Sequence, residues 1–337
     1  MPAHHSGAGR AGNEEGESIY ERNCSRHALS IRSRIVAVKF TILGSGSGGN
    51  CAYLEVDDTR ILIDAGFSGR QIRQRLAQIG RTPESLHGIL ITHEHSDHTQ
   101  GLLALCGKLR IPIYCNRLTK EAIELQFEER FDCRIFATGS SFEVGGVAVD
   151  TFSVPHDAYD PVGFLLHVAG VKIGFLTDLG HATKLVVERV REANILLLEA
   201  NHDLKMLKDD PKRPWSLKQR ILSRHGHLSN EAAADVIQEI VTAQLRYLYL
   251  GHLSRDCNTP ELAYRTVSNR LQKMGATHVT VESASQETPC ASLELMPFIV
   301  EPATPIAPVP EIISSPELTR EAAFTGYLPL FEPQARI

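Results

Sequence analysis

A dense group of possible metal ligands lies in the heptapeptide THEHSDH, which contains His93, His95, Asp97 and His98. It follows the apolar run 88–91, which predicts a short strand. Alternate residues of an extended segment point to the same side, so we expect His93 and His95 to face one point. Asp97 and His98 fall where the chain is predicted to enter a helix. Three imidazoles and a carboxylate form a ligand set that suits zinc or manganese. The alternative interpretation is a group of surface histidines at the start of a helix.

Three further polar residues follow apolar, strand-like runs. His156 comes after a β-like stretch, Asp178 after the run 174–177, and His252 after the run 247–250. Taken singly, a residue at such a position is more often structural or solvated than functional. Their shared placement, just past the end of a predicted strand, makes them candidates for one site.

A glycine-rich segment, 44–49 (GSGSGG), satisfies the pattern GxGxxG, and Asp64 follows about twenty residues later. That pattern binds a dinucleotide only when the glycines open a helix. The residues that follow, 51–56, alternate between apolar and polar and predict a strand instead. We therefore predict a turn between two strands, with nucleotide binding as the alternative.

The order of these residues resembles the signature of the metallo-β-lactamase superfamily, which is a strand-end Asp, THxHxDH, and then separate His, Asp and His residues. The resemblance covers about residues 35–285. It implies an α/β fold, the αββα sandwich, with two divalent metal ions at one edge of the sheets. The matching residues are Asp64, His93, His95, Asp97, His98, His156, Asp178 and His252.

The resemblance also implies two sets of three ligands with one carboxylate between them. The sets are His93, His95 and His156 for one metal, and Asp97, His98 and His252 for the other. Asp178 would bridge the two ions, and Asp64 would orient a ligand without binding metal. Asp97 and Asp178 are thereby also expected to be catalytic.

Members of this superfamily catalyse several reactions, so the fold alone does not decide the function. Asp178 stands where lactamases place a cysteine, and a bridging carboxylate favours a metal pair suited to attack on phosphorus. Only 74 positions separate Asp178 from His252, which leaves no room for the extra domain of the RNA-cleaving relatives that process messenger ends.

Five motifs resemble the YycJ (WalJ) branch of the superfamily, whose members are described as DNA exonucleases that act from the 5′ end. The motifs are GSGSGGN (44–50), PHD (155–157), EANHD (199–203), GHLSN (226–230) and GHLSRDCNTPE (251–261). We therefore predict a 5′-to-3′ DNA exonuclease that hydrolyses phosphodiesters with a hydroxide held between two metals. The alternatives are a hydrolase of a small phosphodiester or thioester, and a non-catalytic regulatory or binding protein.

Candidate substrate contacts lie in and before the motif GHLSN. Related phosphodiesterases place a histidine like His227 at a helix start, where it binds the scissile phosphate or protonates the leaving oxygen. Ser229 and Asn230 are expected at the start of that helix and near the substrate. The alternative for His227 is a solvated loop histidine.

A basic segment, residues 204–225, precedes that motif. It has seven basic residues against two acidic ones, a net charge of +5. Lys212, Arg213 and Lys218 are predicted to follow a nucleic-acid backbone, and Trp215 to stack on a base. The alternatives are a solvated surface and simple packing of the ring.

The whole chain must supply the elements that position these groups. Its 337 residues are 42 % hydrophobic and 22 % charged, with a net charge of −5, which fits a globular protein without a chain-wide positive field. Strand-like runs alternate with helical ones, including helices expected at 68–79, 181–192, 229–242 and 259–273. We expect no membrane span, no secretory signal, and seven cysteines present as thiols in the cytoplasm.

The two ends of the chain differ from the middle in composition. Residues 1–34 lack apolar periodicity and are predicted to be a disordered extension, and 35–300 the hydrolase domain. Residues 301–337 contain 7 of the 17 prolines and are predicted to be a flexible tail. Within the tail, Leu328, Leu330 and Phe331 resemble the peptide by which bacterial repair proteins bind the sliding clamp, with Tyr327 in place of its glutamine. Docking onto the chain's own domain is the alternative.

Overall fold

The computed structural model describes residues 34–300. The predicted N-terminal extension, apart from its last residue, lies outside the described residues. So do the proline-rich tail and its candidate clamp-binding residues Leu328, Leu330 and Phe331. No helix in the described range is long and apolar enough to cross a membrane.

Two seven-stranded sheets form the centre of the fold. In the first sheet, one edge is antiparallel, and the strands from β3 to β6 run parallel to one another. Its strands, in spatial order, are β14 (Leu293–Val300), β1 (Arg34–Gly44), β2 (Cys51–Val56), β3 (Thr59–Ile63), β4 (Gly88–Leu90), β5 (Ile113–Cys115) and β6 (Cys133–Ile135).

The second sheet has the same mixed character. The strands from β7 to β10 are antiparallel, and those from β10 to β13 are parallel. In spatial order they are β13 (Thr280–Ser283), β12 (Tyr247–Gly251), β11 (Ile195–Glu199), β10 (Val171–Leu176), β9 (Val162–Val168), β8 (Val147–Ser153) and β7 (Ser141–Val144).

Helices cover the outer faces of both sheets. The helices are α1 (Gly69–Gln78), α2 (Ser96–Thr99), α3 (Leu102–Leu109), α4 (Arg117–Phe127), α5 (Lys184–Val190), α6 (Leu204–Asp209), α7 (Trp215–Ile221), α8 (Asn230–Ile240) and α9 (Pro260–Lys273). A core between the sheets joins residues of both, with the Phe40 ring 5.8 Å from the rings of Phe175 and Tyr249. One further core packs the first sheet against α1 and α3, and another packs the second sheet against α5, α8 and α9. The predicted αββα sandwich is confirmed.

The glycine-rich segment 44–49 forms the turn between β1 and β2, and no helix follows it. The prediction of a strand-to-strand turn is therefore confirmed, and the dinucleotide alternative fails on its structural context. The basic segment contains two short helices, α6 and α7, that the sequence did not predict. Each is at most seven residues long, which is too short for apolar periodicity to reveal it.

Candidate metal centre

Three of the predicted site residues sit at strand ends in an unusual backbone conformation. Asp64 and His252 directly follow β3 and β12, and Asp178 lies two residues past the end of β10. Their φ angles are 60°, 54° and 58°. A non-glycine residue with positive φ costs about 1–2 kcal/mol, so it persists only where its surroundings hold it. These strained turns aim the three side chains at the carboxyl edge of the parallel strands.

The first group of converging side chains consists of His93, His95 and His156. Nδ1 of His95 lies 3.1 Å from Nε2 of His93 and 3.2 Å from Nε2 of His156. Burial lowers the pKa of His93 well below its usual value and also lowers that of His156, which favours neutral rings. Neutral imidazoles with nitrogen atoms facing one point are the ligand set of a divalent cation.

The second group contains Asp97, His98, Asp178 and His252. Nε2 of His252 lies 3.2 Å from Oδ2 of Asp97, and Nε2 of His98 lies 3.0 Å from Oδ2 of Asp178. That Asp178 oxygen is buried and receives no hydrogen bond from the described residues. A buried carboxylate oxygen without a hydrogen-bond donor is typical of a metal ligand, because the cation takes the place of the donor.

Asp178 lies between the two groups. Its Oδ1 is 3.7 Å from Nε2 of His156, in the first group, and 3.4 Å from Nε2 of His252, in the second. Burial by itself would raise the pKa of Asp178, but the nearby His252 and His98 outweigh it and hold the pKa well below its usual range. The same balance, with His98 as the main neighbour, keeps the pKa of Asp97 low. Both carboxylates are therefore ionised, as metal ligands must be.

Asp64 lies behind His98 and does not join either group. Its Oδ2 is 2.8 Å from Nδ1 of His98, and its Oδ1 accepts hydrogen bonds from the backbone and side chain of Thr92. The carboxylate therefore fixes the orientation of the His98 ring and leaves its Nε2 facing the centre. Such an arrangement is common around metal-binding histidines.

Glu199 is a site residue that the sequence analysis missed. It is fully buried at the end of β11. Its Oε1 lies 2.7 Å from Nδ1 of His227 and 2.8 Å from Nδ1 of His252. Its Oε2 accepts from the backbone N–H groups of Leu179 and Leu228. Burial would raise the pKa of Glu199, but His227 and the hydrogen bonds lower it to about 2. Its place after the apolar run ILLL was the signal available in the sequence.

Asn50 is the second missed residue, and it gives the glycine-rich turn a role. Its Nδ2 lies 3.1 Å from Nε2 of His98, and its backbone N–H donates to the carbonyl of Asp97. Ser45, in the same turn, accepts a hydrogen bond from the backbone N–H of His252. The turn therefore supports the metal-binding loops of both sheets.

His227 lies at the rim of the centre. Its side chain is partly exposed, and its Nδ1 is engaged by Glu199, so its Nε2 is the ring nitrogen available to a further partner. Burial lowers its pKa, but the negative charge of Glu199 outweighs this and raises the pKa above the usual value. The raised pKa favours the charged ring, which suits His227 to interact with an anion beside the predicted ligands.

The other predicted substrate contacts have partners inside the protein. Ser229 caps α8 by accepting from the Ala232 N–H. Asn230 is fully buried against Asn258, and the buried Lys218 donates to the Lys208 carbonyl at 2.7 Å.

Arg213 pairs with Asp210 and Asp256, so its guanidinium is also committed within the protein. Lys212 remains exposed and lies 3.6 Å from Asp256. Asn230 and Lys218 are thus buried and bonded within the protein, whereas Lys212 is accessible.

Comparison with known proteins agrees with this geometry. Residues 59–252 match the family model described as the beta-lactamase superfamily domain. The chain belongs to the metallo-β-lactamase superfamily. Within it, the chain is 37 % identical over 245 residues to exodeoxyribonuclease YycJ of Bacillus anthracis, covering 71 % of this chain and 91 % of that protein.

One further relative supports the branch, and one solved structure supports the fold. It is 40 % identical over 240 residues to exodeoxyribonuclease WalJ of Streptococcus pneumoniae, covering 70 % of this chain and 89 % of the relative. The crystal structure of the metallo-β-lactamase fold protein YhfI from Bacillus subtilis superposes with a TM-score of 0.57 at 16 % identity, over 77 % of this chain and 99 % of that one. This chain is thus a member of the YycJ (WalJ) branch of the superfamily and a metal-dependent hydrolase.

Proposed function

We propose that this protein is a 5′-to-3′ DNA exonuclease that works with two divalent metal ions, zinc or manganese, in the cytoplasm. The observation that carries the proposal is the convergence of seven donors into two groups with Asp178 between them. The names of its YycJ and WalJ relatives support DNA as the substrate. The six cysteines of the described range are free, which agrees with a reducing compartment.

The donors fit two cations by their chemistry. His93, His95 and His156 would hold one ion, and Asp97, His98 and His252 the other, with Asp178 able to reach both. Bound divalent ions supply an activated water and stabilise the negative charge that develops on a phosphoryl group. An intact donor set disfavours a non-catalytic protein, and an aspartate in place of a cysteine at 178 favours phosphodiesters over lactams.

The residues at the rim would handle the substrate's phosphate and its leaving group. His227, held by Glu199 through Nδ1, presents Nε2 as a proton donor for the leaving oxygen or as a phosphate contact. Glu199 at the same time holds His252, so one carboxylate positions a ligand and a proton donor. The orientation of both rings is therefore fixed before a substrate arrives.

The direct test offers the purified protein, loaded with zinc or manganese, labelled oligonucleotides of DNA and RNA. The DNA carries the label at its 5′ end in one set and at its 3′ end in another. We expect the 5′ label to be released first as a mononucleotide and RNA to be cut more slowly. Absence of DNA cleavage by folded, metal-loaded protein, or cleavage of RNA alone, would contradict the proposal.

A second partner is proposed on sequence alone. We propose that Leu328, Leu330 and Phe331, outside the described residues, bind the sliding clamp. Deleting residues 325–337 should then abolish clamp binding measured by surface plasmon resonance while leaving cleavage of free DNA unchanged. An unchanged affinity for the clamp would dismiss this contact.

A further inference from the structure

Asn201 lies two residues after Glu199 in the motif EANHD, just past the end of β11. It is 5 % exposed and belongs to neither group of converging donors. A buried amide needs hydrogen-bond partners because burial removes its water, so the partners indicate what the residue does. Its nitrogen, Nδ2, donates to the backbone carbonyl of His252 at 2.9 Å. The amide therefore acts on a candidate metal ligand through that ligand's backbone.

The backbone of His252 needs such support, because its φ angle is 54°. A residue with a side chain adopts this left-handed conformation at a cost, and the conformation persists only where the surroundings hold it. Side chains from two distant segments bind both polar groups of the His252 backbone. Its N–H donates to Oγ of Ser45 at 2.8 Å, and its carbonyl accepts from Asn201. Together the two bonds fix the backbone rotation that directs the imidazole to the metal centre.

The partners of Asn201 also decide which end of its amide faces His252. Nδ1 of His252 is engaged by Glu199 at 2.8 Å, and it lies 3.4 Å from Nδ2 of Asn201. The closer partner of the amide nitrogen is therefore the His252 carbonyl. An amide oxygen in that place would face a carbonyl oxygen, and two acceptors repel each other. The position thus requires a hydrogen-bond donor, which asparagine supplies and an apolar side chain of the same size does not.

The backbone of Asn201 is itself held on both sides, which makes the side chain a rigid support. Its N–H donates to the carbonyl of Leu228 at 2.9 Å. Its carbonyl accepts from the N–H of Ser254 at 2.8 Å and from Nδ2 of Asn258 at 3.2 Å. Leu228 precedes α8, whereas Ser254 and Asn258 follow β12. Asn201 therefore joins the loop before α8 to the loop that carries His252.

Asn201 supports one group of donors and not the other. His252 belongs to the second group, with Asp97, His98 and Asp178. Within residues 34–300, no hydrogen bond joins Asn201 to a histidine of the first group. A change at position 201 should therefore disturb a ligand of one ion and leave the three histidines of the other ion in place.

We propose that Asn201 is a positioning residue, which holds the backbone of His252 in the conformation that the second metal ion requires. The proposal rests on the proposed two-metal centre and assigns a role to a residue that supplies no metal donor. Loss of the amide should weaken the ion bound by Asp97, His98 and His252. A merely structural residue would instead weaken both ions or neither.

Zinc binding to the full-length, chelator-treated protein separates the two ions without requiring cleavage. Zinc is titrated calorimetrically in the presence of a competing chelator, and the wild type should show two binding steps. His95→Ala removes a donor of the first group, so the step that survives in this variant belongs to the second group. This reference variant assigns the two steps before position 201 is changed.

Asn201→Leu keeps the volume of the side chain and removes its hydrogen-bonding groups. We expect the Kd of the second-group step to rise by about 10- to 100-fold, the range typical of residues that orient a metal ligand, and the first-group step to stay unchanged. Circular dichroism verifies the fold. If the leucine variant is unfolded, Asn201→Ala replaces it, since alanine removes the amide and adds no bulky apolar group to the polar surroundings.

Asn194→Ala is the matched control, because Asn194 directly precedes β11 at its opposite end. The Asn194 amide accepts from the N–H of Lys172 at 2.7 Å and donates to the carbonyl of Gln244 at 3.2 Å. The control thus also removes side-chain hydrogen bonds to backbone groups. It should lower the Tm measured by differential scanning fluorimetry and leave both zinc steps as in the wild type.

The proposal is overturned by an unchanged second-group step in the Asn201 variant, by an equal weakening of both steps, or by the same selective loss in Asn194→Ala. Failure of the two-metal proposal would look different, because the wild type itself would then bind fewer than two zinc ions.

Discussion

Asp178 is the residue on which the two groups of the centre depend. It lies within 4 Å of nitrogen atoms of His98, His156 and His252 and has a buried oxygen without a hydrogen-bond donor among the described residues. Removing its charge leaves the three imidazoles around a cation with less negative charge to compensate it. The loss should therefore affect metal binding and catalysis far more than the fold.

Asp178→Asn should lower nuclease activity by about a thousandfold or more, because in the proposed centre both ions would share this carboxylate. Metal content is measured by elemental analysis and activity by release of labelled nucleotide, with circular dichroism to verify the fold. Asp58→Asn, a change at an exposed position in the turn between β2 and β3, is the matched control and should retain activity. Full activity of metal-depleted Asp178→Asn would refute the role assigned to this residue.

Glu199 is expected to act through the two rings that it holds. Glu199→Gln keeps the volume but cannot accept from both imidazoles with a full charge, so metal affinity or kcat should fall by about 10- to 100-fold. The readout is a zinc titration alongside the kcat for oligonucleotide cleavage. Because His227 is not a predicted ligand, His227→Ala should lower kcat while sparing zinc affinity. Equal effects on zinc affinity in both variants would contradict this division of roles.

At the scale of elements, the centre depends on how closely the loops of the first sheet approach each other. Gly66, just past β3, packs against the loop that carries Asp97, and a Cβ there would lie 1.6 Å from the Asp97 carbonyl oxygen. The backbone of Gly66 also donates to Asn50, which in turn donates to Asp97. Any side chain at position 66 must push these segments apart.

Gly66→Ala should therefore lower the free energy of unfolding by about 1–3 kcal/mol, since the clash is with backbone that cannot rotate away. It should also weaken zinc binding by displacing Asp97. Gly107→Ala, inside α3, is the opposite case, because its new Cβ would lie 3.8 Å from Leu103, an ordinary contact. Helix propensity predicts a gain of about 0.5–1 kcal/mol there. The free energy of unfolding of both variants is measured by urea denaturation. An equal decrease in the two variants would disprove the packing explanation.

Long, strongly patterned elements were predictable from the sequence, and short or polar ones were not. The helix expected at 259–273 is observed at Pro260–Lys273 because its apolar positions and the Thr259 cap both mark it. The helices α6 and α7 escaped because they are short and rich in charge. The candidate ligands were predicted from their types, from their position after apolar runs and from the family resemblance, and the structure brings all seven together.

Other features of the site depend on tertiary contacts that no local pattern contains. Glu199 and Asn50 gain their importance from the histidines that they contact, which come from distant parts of the chain. Lys218 looks like any surface lysine in the sequence, and only the structure shows its Nζ bound to the Lys208 carbonyl. Burial of single polar residues is therefore the information that the sequence lacked.

At the scale of the whole molecule, charge repulsion within the centre should make stability depend on metal. Buried carboxylates and close imidazoles are compensated only in part by one another, so a cation that binds the folded state stabilises it by mass action. The stabilisation is about 3 kcal/mol at a hundredfold excess over Kd.

Zinc or manganese should thus raise the Tm of chelator-treated protein in a concentration-dependent manner, measured by differential scanning fluorimetry. Magnesium, which prefers oxygen ligands, should have a smaller effect on this histidine-rich set. His95→Ala should lose most of the zinc-dependent shift. A Tm that stays constant over all metal concentrations would show that the centre does not bind these ions.

The two groups draw their members from both sheets. His93, His95, Asp97 and His98 follow β4 of the first sheet, whereas His156, Asp178 and His252 belong to loops of the second. Neither the part of the chain that forms the first sheet nor the part that forms the second contains a complete set of ligands for either ion. We therefore expect a chain that ends before the second sheet is complete to lack a full set of ligands for either ion and to cut no DNA.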